Sequence, residues 1–360
     1  MFGRETFLQR ESIVRGPIAL MRLAKSAMRN RELVLCVAVA IPGASLSAAD
    51  ARATVITFDP AGSVFTSART VSEGLIAGDY ADANNLYHGF VRVADGTITV
   101  FDPRRSVYTE CRSISKGVIA GDFYYDGDVT PHGFVRTADG TIAKFDPSGS
   151  TGTVVNGVSK GVATGWYRDK SGGVHGFVRD SDGAIAAFDA PGSIYTYAQG
   201  INGAGTVAGN YTDNNNVGHG YVRAADGTFT AFDPAGSTAT YAWSINNRGV
   251  VAGYYFDGSS VLHGFVRAAN GAITPFDPPG SAGTTAETIN EAGAIGGYFE
   301  DANGVFHGFV RHAGGKIRTF DPRGSIGTFA FGIDSGGDSG AIVGSYADSD
   351  DMFHGFLRSR

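Results

Sequence analysis

The sequence is poor in cysteine and charge, and each shortage excludes something. It has two cysteines in 360 residues. Cys36 lies in an N-terminal stretch read below as removable, which leaves Cys111 alone and rules out an internal disulfide. Charged residues make up 18% of the chain, too few for a disordered polyelectrolyte. No apolar run reaches the roughly 20 residues that a membrane helix needs. There is no Cys-x-x-Cys pair and no phosphate-binding glycine loop, so thiol redox and nucleotide chemistry lose their usual signatures. What is abundant is glycine, at 53 residues, with 24 Phe and 15 Tyr. That is the composition of many short strands joined by tight turns, with almost no place for helix.

The first 49 residues read as an export signal. Arg22, Lys25, Arg29 and Arg31 precede the apolar run Leu33 to Ile41, and the small residues Ala44 to Ala49 offer cleavage after Ala48 or Ala49. The basic segment is long, so Met21 or Met28 is an alternative start. The mature chain, residues 50–360, would keep 22 of the 29 basic and 32 of the 35 acidic residues. A net charge near −10 argues against nucleic acid or anionic lipid as the partner. No membrane span survives cleavage, and the expected location is extracellular or periplasmic.

The rest of the chain repeats itself. His-Gly-Phe, once His-Gly-Tyr, starts at His88, His132, His175, His219, His263, His307 and His354. Phe-Asp-Pro, once Phe-Asp-Ala-Pro, starts at Phe58, Phe101, Phe145, Phe188, Phe232, Phe276 and Phe320. A period of 43 to 44 residues, 47 in the last copy, suits a four-stranded propeller blade. In the copy from Thr228 to Asn270 the strands fall at Thr228 to Phe232, Thr240 to Ile245, Val250 to Tyr255 and His263 to Arg267. A lone sheet of this kind has two apolar faces, so copies must stack. The repeat region begins with a strand sequence, Thr54 to Phe58, that should pair with the last one, His354 to Arg358. The expected fold is therefore all-β: one seven-bladed β-propeller of four strands per blade, closed by pairing its first and last strands, and monomeric.

Ile-Asn-x-x-Gly-x-Ile/Val-x-Gly-x-Tyr, a short loop, His-Gly-Phe-Val-Arg, Asp-Gly and Phe-Asp together resemble the bacterial probable extracellular repeats of the HAF family, with Gly here in place of Ala. The resemblance covers all seven copies and implies an exported protein. It transfers no catalytic residue.

The seven histidines occupy equivalent positions in different copies, too far apart to share a metal, so each should bond an Asp or backbone within its own blade. An Asp stands six residues before each: Asp82, Asp126, Asp169, Asp213, Asp257, Asp301 and Asp348. The oxygen-rich loops they open suggest calcium, with Asp348, Asp350 and Asp351 the best candidates. An Asx turn explains them more simply. The Asp of each Phe-Asp-Pro should cap the backbone amides that follow it. No cofactor is implied.

Positions that change between copies point to function. Three residues after the recurrent Thr of the inner strand stand Arg69, Arg112, Asn156, Gln199, Trp243, Glu287 and Phe331. Before the next strand's aromatic stand Asp79, Asp122, Trp166, Asn210, Tyr254, Tyr298 and Ser345. Drift at solvated positions would give such a mixture, and so would a central pocket using Arg69, Arg112, Trp166, Trp243, Tyr254, Glu287 and Tyr298. The leading expectation is a non-enzymatic binding or scaffold module for a protein or envelope polymer. A multivalent lectin is the alternative, and a polysaccharide hydrolase or lyase centred on Glu287, Arg69 and Arg112 comes behind it.

Overall fold

Glycine and turn chemistry set the local structure. In the first copy, Ser63–Ser72 and Leu75–Asp82 pair antiparallel around Glu73-Gly74, whose φ values of 53° and 78° make the tight hairpin that strand twist favours. Tyr87–Arg92 and Ile98–Phe101 complete the unit, each antiparallel to the one before. The computed structural model describes residues 53–337 and 340–359, all within the unit Ala51–Arg360. The expected leader lies outside them. The described residues form 28 strands and no helix, and no helix among them is long and apolar enough to cross a membrane.

Three of the four strands run longer than periodicity suggested. In the copy from Thr228, the inner strand is Ser237–Ile245 and the next is Val251–Asp257. The turn is tighter than expected because Ser237 N donates to Pro234 O at 3.1 Å, which lets pairing start three residues before Thr240.

Copies are joined by single parallel bridges such as Tyr87↔Tyr108 and Phe65↔Phe353. Bridges are absent at some junctions, so the strands group into sheets of 12, 12 and 4. At one of these, Pro131 occupies the bridging position and has no N–H to donate, although its carbonyl still accepts from Thr153 N at 2.8 Å. At the chain ends, Thr54–Phe58 pairs antiparallel with Phe353–Ser359, from Thr54↔Ser359 to Phe58↔Gly355.

The core lies between copies. Phe90, Phe134, Phe177, Phe265, Phe309 and Phe356 are wholly buried, each worth about 1.5–3 kcal/mol. Most meet the Phe-Asp-Pro phenylalanine of the preceding copy edge-on, as Phe58 and Phe90 do at 6.1 Å. Above each such phenylalanine lies the arginine that ends the next copy's His-Gly-Phe strand: Arg92 over Phe58 and Arg358 over Phe320, both at 4.8 Å. Ala68, Val71 and Ile76 of the first copy pack with Val343 and Leu357 of the last. Cys111 fills the position of Ala68 and is fully buried, which pushes its thiol pKa up and leaves it inert.

Candidate functional site

Two sets of side chains repeat around this frame, one constant and one variable. The constant set is the histidine brace. Nδ1 of each histidine donates to the Asp of a Phe-Asp-Pro turn at 2.7–2.9 Å. Nε2 faces a second Asp at 3.2–3.8 Å. The ring lies tilted on a Tyr or Phe of the neighbouring strand, as His88 does on Tyr80 at 5.1 Å. His354 takes its first Asp, Asp59, from the opposite end of the chain.

One expectation needs correction here. The Phe-Asp-Pro carboxylates do not cap following backbone amides; they accept from histidine and, in three copies, from the recurrent threonine, as Thr240 Oγ1 to Asp233 Oδ1 at 2.6 Å. In the second copy the partner of His132 Nε2 is Asp128, not Asp126, because the strand ends at Tyr125 and the turn resets the loop by two residues. Asp348 spends one oxygen on the amides of Asp350 and Met352 and the other on His354, the Asx-turn geometry. Among the described residues no group of three or more His, Cys, Asp or Glu could hold a metal, Asp348, Asp350 and Asp351 included.

The variable set has a backbone cause. In every copy the inner strand slips register by one residue, between Ala68 and Thr70 in the first and Ala242 and Ser244 in the fifth. The extra residues are Arg69, Arg112, Asn156, Gln199, Trp243, Glu287 and Phe331. A β-bulge leaves its residue outside the ladder and re-aims its side chain. The recurrent glycine opposite makes room: a Cβ on Gly78 would fall 2.0 Å from Ser67 O, and on Gly253 2.0 Å from Tyr241 O.

These side chains converge. Arg69 Nε donates to Asp79 at 3.0 Å, its Nη2 lies 3.1 Å from Glu110, and its guanidinium sits 5.4 Å from the Phe331 ring. Arg112 bonds Glu110 at 3.0 Å and Asp122 at 2.5 Å. Asn156 Nδ2 donates to Gln199 Oε1 at 2.8 Å, and Gln199 Nε2 to Asn210 Oδ1 at 3.2 Å. Glu287 is half-buried and accepts hydrogen bonds from Tyr298 and Trp243. Burial, opposed by the Arg69 charge and these hydrogen bonds, pushes its carboxyl up to about 7. Burial also raises Asp79 and Asp122 against the pull of Arg69 and Arg112.

The sequence-derived set therefore falls on one pair of strands per copy, with Trp166, Tyr254 and Tyr298 beside the bulges rather than on them. Tyr254 and Tyr298 are buried and Trp166 packs 5.5 Å from Tyr197. Glu110 was missed. It is the one charged residue among Ser67, Glu110, Val154, Tyr197, Tyr241, Thr285 and Phe329, the residues after the recurrent Thr, and comparing copies there would have found it. A Gly-x-Ser-x-Gly pentapeptide, Gly157 to Gly161, also went unnoticed. Its Ser159 pairs with Val162 across a hairpin turn, not at the strand-to-helix elbow that activates a nucleophile.

The pH dependence has one sign near neutrality. Burial disfavours the charged form of His175, His263 and His354, but hydrogen bonds to and charges on their two aspartates raise them above the usual value of 6.5. Their stabilisation is complete below pH 6.5 and is lost as pH rises through the folded pKa. Glu287 holds a proton in the fold between its ordinary 4.5 and about 7, so it too stabilises less as pH rises across that window. The melting temperature should be several degrees higher at pH 5.5 than at pH 8, and Glu287→Gln should flatten the slope between pH 5 and 7. Calorimetric scans that rise towards pH 8 would contradict this.

No family model matches the chain, and no curated protein matches it. Solved structures do. A catalytically inactive virginiamycin B lyase from Staphylococcus aureus, crystallised with quinupristin, is 15% identical over 86% of this chain and 100% of that one, with a TM-score of 0.59. The β-propeller domain of the Trilobed protease from Pyrococcus furiosus, described as having an open velcro topology, is 11% identical over 82% and 95%, at 0.58. The fold is a β-propeller. A Burkholderia pseudomallei lectin, 11% identical over 85% of this propeller and 96% of its own chain at 0.53, shares the architecture. A lyase, a protease domain and a lectin have only the fold in common, so these likenesses carry the propeller and no activity.

Proposed function

We propose that this chain is an exported, seven-bladed, ring-closed β-propeller that acts as a binding module and not as a catalyst, meeting a protein or envelope polymer through the end that carries the Asp-Pro-Gly-Ser turns and the loops before each histidine. Closure is supported by the pairing of Thr54–Phe58 with Phe353–Ser359 and by the packing of the first copy's core on Val343 and Leu357. Export rests on the leader sequence and on the resemblance to HAF repeats.

The observation that carries the binding reading is where apolar side chains are exposed. Of the seven large exposed ones among the described residues, Val64, Leu86, Val129, Ile194 and Ile326 lie at this end, and Val129 is 92% exposed. Four of them belong to the last, first and second copies, one arc of the rim. Exposed apolar side chains gathered on one end are the kind of surface that contact sites use. Braced loops present them with little ordering entropy left to lose on binding. The double variant Leu86→Glu/Val129→Glu should melt like the parent and lose about tenfold or more in affinity for isolated envelope polymer, peptidoglycan sacculi first, in co-sedimentation. Sedimentation of parent and variant alike would sink the assignment of this face. A mature chain that still carries residues 1–49 would sink export with cleavage.

A further inference from the structure

The bulge ring breaks the repeat that everything around it obeys. Its charged sector is Arg69 and Arg112 with Asp79, Glu110 and Asp122; an amide sector follows at Asn156 and Gln199; Trp243 and Glu287 come next. Drift at solvated positions would leave loose side chains. Here the polar bulge residues are held by partners, Asn156 by Gln199 of the next copy and the others by the adjacent strand, where Asp79, Asp122, Asn210 and Tyr298 are 0–5% exposed. Burying carboxylates is expensive, and the copies with Tyr254 or Ser345 at the same position fold without them. Structural need does not explain the set.

We propose that the bulge ring is a single-occupancy site for a neutral saccharide, separate from the loop face, with Trp243 as the stacking platform and Glu287, Asn156, Gln199 and Arg112 bonding its hydroxyls. The half-buried members are the ones a ligand would reach: Arg112, Asn156, Gln199, Trp243 and Glu287. Both arginines are already matched by carboxylates, which leaves no free cation for an anionic ligand. A sugar ring offers what remains useful: an apolar C–H face for an indole and an edge of hydroxyls for planar amides and a carboxylate. Copies that differ at the bulge provide one such arrangement per chain.

The chain's two tryptophans, Trp166 and Trp243, both belong to this region, so intrinsic fluorescence reports on it directly. The full chain would be titrated with glucose, galactose, mannose, N-acetylglucosamine and their disaccharides, alongside glucosamine and glucuronic acid. The expected result is a saturable change with one site per chain for a neutral sugar, weakened about tenfold by Trp243→Ala and by Glu287→Gln with the melting temperature kept. If Trp243→Ala fails to fold, Trp243→Phe with calorimetric detection replaces it and should weaken binding by a smaller factor. No response to any neutral sugar, several sites per chain, tighter binding of either charged sugar, or unchanged affinity in the variants would each overturn the proposal.

Discussion

Gly253→Ala should abolish the fold. The added methyl carbon would lie 2.0 Å from Tyr241 O and 3.0 Å from the Phe265 ring, and neither can withdraw. The carbonyl belongs to a strand paired on both sides of the bulge, and Phe265 is fully buried between copies. Overpacking a core with one methylene commonly costs about 1–3 kcal/mol when side chains can shift. Here backbone must move, and the loss should exceed about 4 kcal/mol, enough to remove soluble, cooperatively melting protein. Gly258→Ala is the control: nothing lies within 4 Å of its added carbon, so stability should change by no more than about 0.5 kcal/mol. Equal melting temperatures for the two variants would refute the close-approach argument.

A chain that starts at Asp59 should behave almost as badly, although it loses none of the bulge residues. It lacks Thr54–Phe58, so Phe353–Ser359 is left with an unpaired edge and Ser359 to Gly355 lose their partners. Phe58 also vanishes from beneath Arg92 and from beside Phe90, at the junction where the first and last copies meet. The combined loss is on the order of 5 kcal/mol, and the bare edge is a template for association between chains. Sedimentation should show oligomers and scanning calorimetry a lowered or absent transition, while a chain starting at Asp50 keeps the parent's melting temperature. A monomeric, fully stable truncation would mean that pairing of the chain ends contributes little.

Much of the fold was legible because it is written repeatedly. A spacing that recurs from Phe58 to Phe320 and from His88 to His354 identifies four strands per period without any propensity argument, and the histidines' equivalence already pointed away from a shared metal. The bulge was not legible. One extra residue between Ala68 and Thr70 looks like strand continuation in the sequence, since it changes neither period nor composition, and only the register with Gly78 and Ala77 exposes it. Variation at Arg69, Arg112, Trp243 and Glu287 was visible, yet its cause was not. Spacing alone is likewise silent on Asp126: it shares the offset of Asp82 and Asp348, but a turn two residues later decides which carboxylate reaches the ring.

Because a bulge residue takes part in no ladder pair, exchanging it leaves the flanking hydrogen bonds and the phenylalanine junctions as they were. The seven positions can thus change without disturbing the ladder, and only those that share a partner, as Arg69 and Arg112 share Glu110 and Asn156 bonds Gln199, are coupled in their effects on stability. A chain built by copying one module would begin with identical bulge residues and diverge there first, keeping its architecture through every intermediate. Relatives of this propeller should accordingly share their glycines and histidines and differ most where Arg69, Trp243 and Glu287 stand.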